Sequence, residues 1–97
     1  MYDLTIAIPT YNGEKTIEKA VDSALNQNKE GFKLQVLISD DNSSDGTKKI
    51  IERYSKYSDV KINFNNTNPT PEFGAVNNFN TCLKHADGKY FMILCQD

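Results

Sequence analysis

Leu34-Gln35-Val36-Leu37-Ile38-Ser39-Asp40-Asp41-Asn42-Ser43-Ser44-Asp45-Gly46-Thr47 is the stretch on which the fold turns. The apolar run Leu34 to Ser39 reads as a strand. It breaks into small, polar, turn-forming residues, and a helical pattern with Ile50, Ile51, Tyr54 and Tyr57 as its expected buried stripe follows. A strand closed by capping residues ahead of a helix is half of a βαβ unit. The chain repeats that grammar on both sides. Upstream, Leu4 to Pro9 forms a first strand, Thr10-Tyr11-Asn12-Gly13 a turn, and Ile17, Ala20, Val21, Ala24 and Leu25 one helical face, with Asn12 or Gly13 as the cap and a stop near Asn28. Downstream, Lys61 to Asn65 alternates as a short third strand, and Asn63 to Pro71 reads as a loop. Phe73, Val76, Phe79, Leu83 and Ala86 mark a helix running to Gly88, and Tyr90 to Cys95 is the last strand.

The order β-α-β-α-β-α-β predicts an α/β fold, a Rossmann-like three-layer α/β/α half with a parallel sheet of about four strands and right-handed crossovers. With strand order 3-2-1-4 the winding reverses between strands 1 and 4, and open α/β sheets bind ligands beyond the carboxyl ends of the strands at such a point. Thr10 to Asn12, Asp40 to Asp45 and Gln96-Asp97 all fall on that edge.

Composition narrows the partners. The 97 residues suit one domain, and 11 Lys+Arg against 13 Asp+Glu leave a net charge of −2 with pI near 5.3. That balance disfavours nucleic acid and anionic lipid. No apolar run approaches a bilayer span and no signal-peptide pattern stands at the N-terminus, so a cytoplasmic location is expected, at most peripheral to the inner face of a membrane. Cys82 and Cys95 lack metal-ligand spacing and read as reduced, packed thiols. Lone His85 reads as a surface helix residue. The tripeptides Asn42-Ser43-Ser44 and Asn65-Asn66-Thr67 read as accidental glycosylation patterns.

The first turn holds one glycine, so neither the dinucleotide fingerprint nor a P-loop is present. A receiver-type phosphoacceptor would place its acids after strands 1 and 3, and a nucleotidyltransferase-like protein would want a Gly/Arg/Lys-rich loop after strand 1. What remains is an aromatic and a hydroxyl after strand 1, carboxylates after strand 2 and at least one after strand 4. Tyr11 has the chemistry to stack on a base, or else packs on the helix. Asp40 or Asp41 suits a base N–H or ribose hydroxyl, with a helix cap as the alternative for Asp41, and Asp97 is either a metal-placing acid or a solvated chain end. Asp45, ahead of Gly46-Thr47, reads as a cap.

In order and spacing, Thr5-Ile6-Ala7-Ile8-Pro9-Thr10-Tyr11-Asn12, Val36 through Thr47, Asn78-Phe79-Asn80 and Ala86-Asp87-Gly88-Lys89-Tyr90-Phe91 resemble the N-terminal part of a family 2 glycosyltransferase of GT-A fold. The resemblance implies that residues 1–97 are the nucleotide-sugar-binding portion of an inverting, metal-dependent enzyme of cell-surface polysaccharide biosynthesis. Pro9, Thr10, Tyr11, Asn12, Asp40, Asp41 and Asp97 would then face the nucleotide. Many relatives have Ala-Arg-Asn where this chain has Asn78-Phe79-Asn80. Asp97 would open the acidic motif for Mn2+ or Mg2+, its remaining ligand lying past Asp97. The donor expected is a UDP-type nucleotide sugar and the acceptor a saccharide or lipid-linked hydroxyl. The general base is expected outside these residues, which leaves no catalytic residue within them and an inactive fragment. The competing expectation is a stand-alone α/β interaction or nucleotide-binding module that self-associates through an exposed sheet edge.

Overall fold

β1 (Leu4–Thr10) and β2 (Leu34–Asp40) lie side by side in parallel, from Leu4 opposite Leu34 to Thr10 opposite Asp40. This computed structural model describes residues 2–27, 31–65 and 74–94, with side chains described from 77 onward in the last segment. β3 (Val60–Phe64) pairs with the outer side of β2, and β4 (Tyr90–Ile93) with the outer side of β1. The sheet is therefore wholly parallel in the order β3-β2-β1-β4, the order and pairing expected from the alternation of strand and helix.

One face of the sheet is apolar. Ile6, Ile8, Leu34, Val36 and Ile38 point to it and pack against Ile17, Ala20, Val21 and Ala24 of α1 (Ile17–Leu25) and Ile51 of α2 (Thr47–Glu52). Fully burying such a side chain stabilises the fold by about 1.5–3 kcal/mol. The other face, under α3 (Gly74–His85), mixes chemistries. Cys82 meets Ala7 and Leu37 at its centre, with Ser39 and Asn78 at one end and Thr5 and Gln35 at the other. These polar groups are all buried. They satisfy one another, and among the described residues no buried side-chain N or O lacks a partner.

Element boundaries depart from the sequence expectation for identifiable reasons. α1 starts at Ile17, not Glu14: residues 14–16 form a turn whose Thr16 and Ile17 amides donate to the Gly13 carbonyl, and Asn12 is engaged elsewhere. Neither Asn12 nor Gly13 is its cap; Thr16 holds that position, without a side-chain capping bond. α2 tightens into a 3-10 turn at Arg53–Lys56, which buries Tyr54 and leaves Tyr57 44% exposed. Tyr57 is therefore not part of the buried stripe. β3 begins one residue early, at Val60, beside the Val36 amide that donates to the Asp59 carbonyl.

The expected stripe of α3 needs the largest correction. Phe79 and Leu83 are 41% and 48% exposed, whereas Asn78 and Cys82, one position back in each case, are buried. The helix turns its polar Asn78 inward because the backbone ends of β1 and β2 supply partners there. Phe73 and the side chain of Val76 lie outside the described residues, as do Cys95, Gln96 and Asp97.

Candidate nucleotide site

The carboxyl ends of β1 and β2 meet where winding reverses, and three local devices shape the loops beyond them. The Asp41 amide donates to the Thr10 carbonyl at 2.9 Å, prolonging the ladder by one bond. Asn78 then clasps both strand ends: Ser39 Oγ donates to its Oδ1 at 2.7 Å, and its Nδ2 donates to the Ser39 and Thr10 carbonyls at 3.1 and 3.5 Å. Finally, Asn12 and Asn42 adopt left-handed backbone (φ +49° and +57°), which Asn tolerates better than most residues.

The two adjacent carboxylates have separate jobs. Asp40 is fully buried and folds back on its own loop, accepting from the Ser43 amide at 3.0 Å and from the Ser43 hydroxyl. Asp41 turns the other way, its Oδ1 accepting from Asn65 Nδ2 at 3.1 Å. Burial pushes the Asp41 carboxyl above its usual value; the Asn65 hydrogen bond opposes this and the neighbouring Asp40 charge adds to it. A cramped carboxylate of this kind gains from a ligand N–H or O–H that donates to it. Asp41 lies ahead of α2 and does not cap it.

Gly46, not Asp45, holds the cap position of that helix, without a side-chain capping bond, but the Asp45 carboxylate still ties down its first residue. Its Oδ1 accepts from the Thr47 amide at 3.0 Å and from the Thr47 hydroxyl. Burial raises its carboxyl, but these bonds together with the Glu14 and Asp45 amides outweigh it and hold the group below its usual value.

Tyr11 stands at the rim, 51% exposed. Thr10 is buried, and Pro9 sits in β1 past the last described β1–β4 pair, Ala7 with Ile93. Alternation along a parallel strand turns Pro9 toward β4, so its missing N–H costs no bond to β2. Pro9 through Asn12 and Asp40-Asp41 are thus gathered at one edge, as expected. Asp97 lies outside the described residues, and among those described no three His, Cys, Asp or Glu side chains converge as a metal site. Sequence reasoning passed over Ser39, Ser43, Asn65 and the inward turn of Asn78. Only the abundance of small amides and hydroxyls flanking the strand ends hinted at them.

Comparison with known proteins bears on this edge. The family model described as Glycosyl transferase family 2 matches residues 5–97. The Campylobacter jejuni GalNAc(5)-diNAcBac-PP-undecaprenol beta-1,3-glucosyltransferase is 37% identical over 98 residues, covering 100% of this chain and 30% of that protein. Among solved structures, S. aureus TarS 1-349 in complex with UDP-GlcNAc superposes with a TM-score of 0.75 at 27% identity, over 98% of this chain and 26% of that one. The mannosyltransferase PcManGT from Pyrobaculum calidifontis, in complex with GDP-Man and Mn2+, gives 0.77 at 29%, over 100% of this chain and 30% of that one. The chain spans about a third or less of the length of each of these relatives.

Proposed function

The chain belongs to glycosyl transferase family 2, and from that premise we propose that its β1–β2 edge binds the nucleoside diphosphate of a sugar donor, UDP-linked, for transfer to a saccharide or lipid-linked acceptor hydroxyl. One observation carries the reading: Tyr11 and Asp41 flank the same strand-end hydrogen bond, from the Asp41 amide to the Thr10 carbonyl. A half-exposed ring offers a stacking surface and a cramped carboxylate an acceptor for a base N–H or ribose hydroxyl. Asp40 supports this indirectly by fixing the loop, and Asn12 by tying the first loop to the second.

Transfer proceeds with inversion in this proposal: a general base deprotonates the acceptor hydroxyl, which attacks the anomeric carbon as the nucleoside diphosphate departs. No catalytic residue is assigned among residues 1–97, and the chain alone is expected to be inactive; sugar transfer by it would overturn that. A divalent cation, Mn2+ or Mg2+, would neutralise the leaving diphosphate, and PcManGT with GDP-Man and Mn2+ supports such use in relatives. Asp97 is the acid proposed for it. Among the described residues no group of three His, Cys, Asp or Glu forms a ligand set for it. Among them no helix is long and apolar enough to cross a membrane, and cytoplasmic placement stays part of the proposal.

The test is a UDP titration followed by amide NMR. Shifts should gather at Thr10 to Asn12, Asp40 to Asn42 and Asp97, and Tyr11→Ala should weaken binding up to about tenfold, the scale of one aromatic contact. Shifts scattered over the surface would sink the reading. Self-association is a second reading, favoured by the edge strand β4, where Tyr90 and Met92 are 73% and 47% exposed. Sedimentation that stays monomeric across concentration would remove it.

A further inference from the structure

Past Thr10 and Asp40 the backbone ladder between β1 and β2 gives way to a second ladder built from side chains. The Asn12 amide donates to Ser43 Oγ at 2.8 Å, and the Ser44 amide donates back to Asn12 Oδ1 at 2.8 Å. Two residues on, the Glu14 amide donates to Asp45 Oδ2 at 3.3 Å, and the Gly46 amide donates back to Glu14 Oε2 at 3.0 Å. Each rung is reciprocal: Asn12 and Glu14 both give their own amide and take one from the opposite loop. Asp45 also holds the first turn of α2 through Thr47, so the outer rung fastens the first loop to the helix.

This arrangement brackets the proposed nucleoside-binding groups. Tyr11 and the Asp41-Asn42 dipeptide lie between an inner tie, the Asp41 amide on the Thr10 carbonyl, and the outer rungs. The separation of ring and carboxylate is therefore set before any ligand arrives. Asn12, Glu14 and Ser44 are exposed, so water competes for each bond and the rungs hold best together.

Resting on the nucleotide reading above, we propose that Glu14 is a positioning residue for the donor nucleoside: it touches no ligand, but locks the two loops so that Tyr11 and Asp41 are presented at a fixed spacing. Preorganisation of this kind strengthens binding by removing the cost of ordering the loops on contact.

Three proteins test it: wild type, Glu14→Ala, and Glu14→Gln, whose amide oxygen still accepts from Gly46. UDP affinity is read by titration, the Ser44 amide by hydrogen exchange, and folding by thermal melting. Glu14→Ala should weaken UDP binding about fivefold, the equivalent of one net hydrogen bond. It should also speed exchange at Ser44, which Glu14 does not contact, and leave the melting temperature within a few degrees. Glu14→Gln should restore both affinity and protection, which a general loss of stability would not do. A Glu14→Ala protein that binds UDP as tightly as a binding-competent wild type overturns the positioning role alone. A wild type that leaves UDP unbound while Ser44 and Gly46 are protected overturns the nucleotide reading, and the positioning role with it.

Discussion

Replacing Gly88 by alanine should destabilise this protein far more than the same change at Gly46. Gly88 joins α3 to β4, and a Cβ built there would stand 2.6 Å from the Thr5 amide nitrogen, 2.7 Å from the Leu4 carbonyl carbon and 2.8 Å from Thr5 Oγ1. Ordinary contact begins near 3.4 Å, so about 0.8 Å of relief must come from the backbone of the central strand β1. Overpacking of that kind costs about 1–3 kcal/mol. The Gly88 amide also donates to the buried Thr5 hydroxyl at 2.9 Å, and straining that bond adds about 1 kcal/mol. Alanine stiffens the unfolded chain and returns about 0.4–1 kcal/mol. The net loss is then about 2–3 kcal/mol, a large part of a stability of about 5–15 kcal/mol, and equals a fall in Tm of about 10–20 °C in a domain this small. Gly46 is the control. Its added Cβ would meet only the end of the Glu14 side chain, at 2.5 Å, and a carboxylate swings away cheaply. Gly46→Ala should stay within about 1 kcal/mol of wild type. Urea unfolding at constant m-value measures both. A Gly88→Ala loss below about 1 kcal/mol, or one no larger than that of Gly46→Ala, would refute the close-approach argument.

Asp41→Asn should raise thermal stability at neutral pH while weakening UDP binding about tenfold, the scale of a charge-assisted hydrogen bond. A raised carboxyl binds its proton more readily folded than unfolded, so the ionised form opposes folding above that range and the opposition fades on acidification. Unchanged UDP affinity would count against Asp41 as a ligand group. Asp87 runs the other way. Hydrogen bonds from Gln35 and Lys61 hold its carboxyl below the usual carboxylate range, so its contribution is present above that range and fades as pH falls through the lowered value. Asp87→Asn should therefore destabilise near pH 7 and matter progressively less as the protein is acidified, as urea midpoints would show. Burial pushes the Cys82 thiol up to about 11, against the lowering effect of Ser39. In a Cys95→Ser background Cys82 should resist a thiol reagent at pH 8 until urea unfolds the chain; rapid labelling of folded protein would contradict its burial.

The sheet was legible because its evidence is periodic and local. Runs such as Leu4 to Pro9 and Leu34 to Ser39 are too short and too β-branched to compete as helices, and their alternation with helical stripes leaves parallel pairing as the simplest packing. The candidate edge was legible for a topological reason: whatever follows β1 and β2 must meet. The division of labour between Asp40 and Asp41 was not, since two identical residues in sequence diverge only when one carboxylate finds Ser43 and the other Asn65. α3 misled because a binary pattern rewards Phe79 and Leu83. It cannot register that Asn78 adds a bond to each of two backbone carbonyls and accepts one from a hydroxyl at the strand ends, none of which a phenyl ring can make.

The two faces of the sheet also differ in how they should drift over evolution. Under α1 and α2, aliphatic side chains interlock by shape, and one branched residue can stand in for another when a neighbour adjusts. Beneath α3, Ser39 with Asn78, and Thr5 and Gln35 with Asp87 and Gly88, interlock by donor and acceptor. A swap there has no near-equivalent, because moving one hydroxyl strands its partner. Random substitution should therefore accumulate on the first face and be purged from the second. The slowly changing positions then form two polar clusters, one at the α3–β4 turn and one at the carboxyl ends of β1 and β2, on either side of apolar Cys82, Ala7 and Leu37.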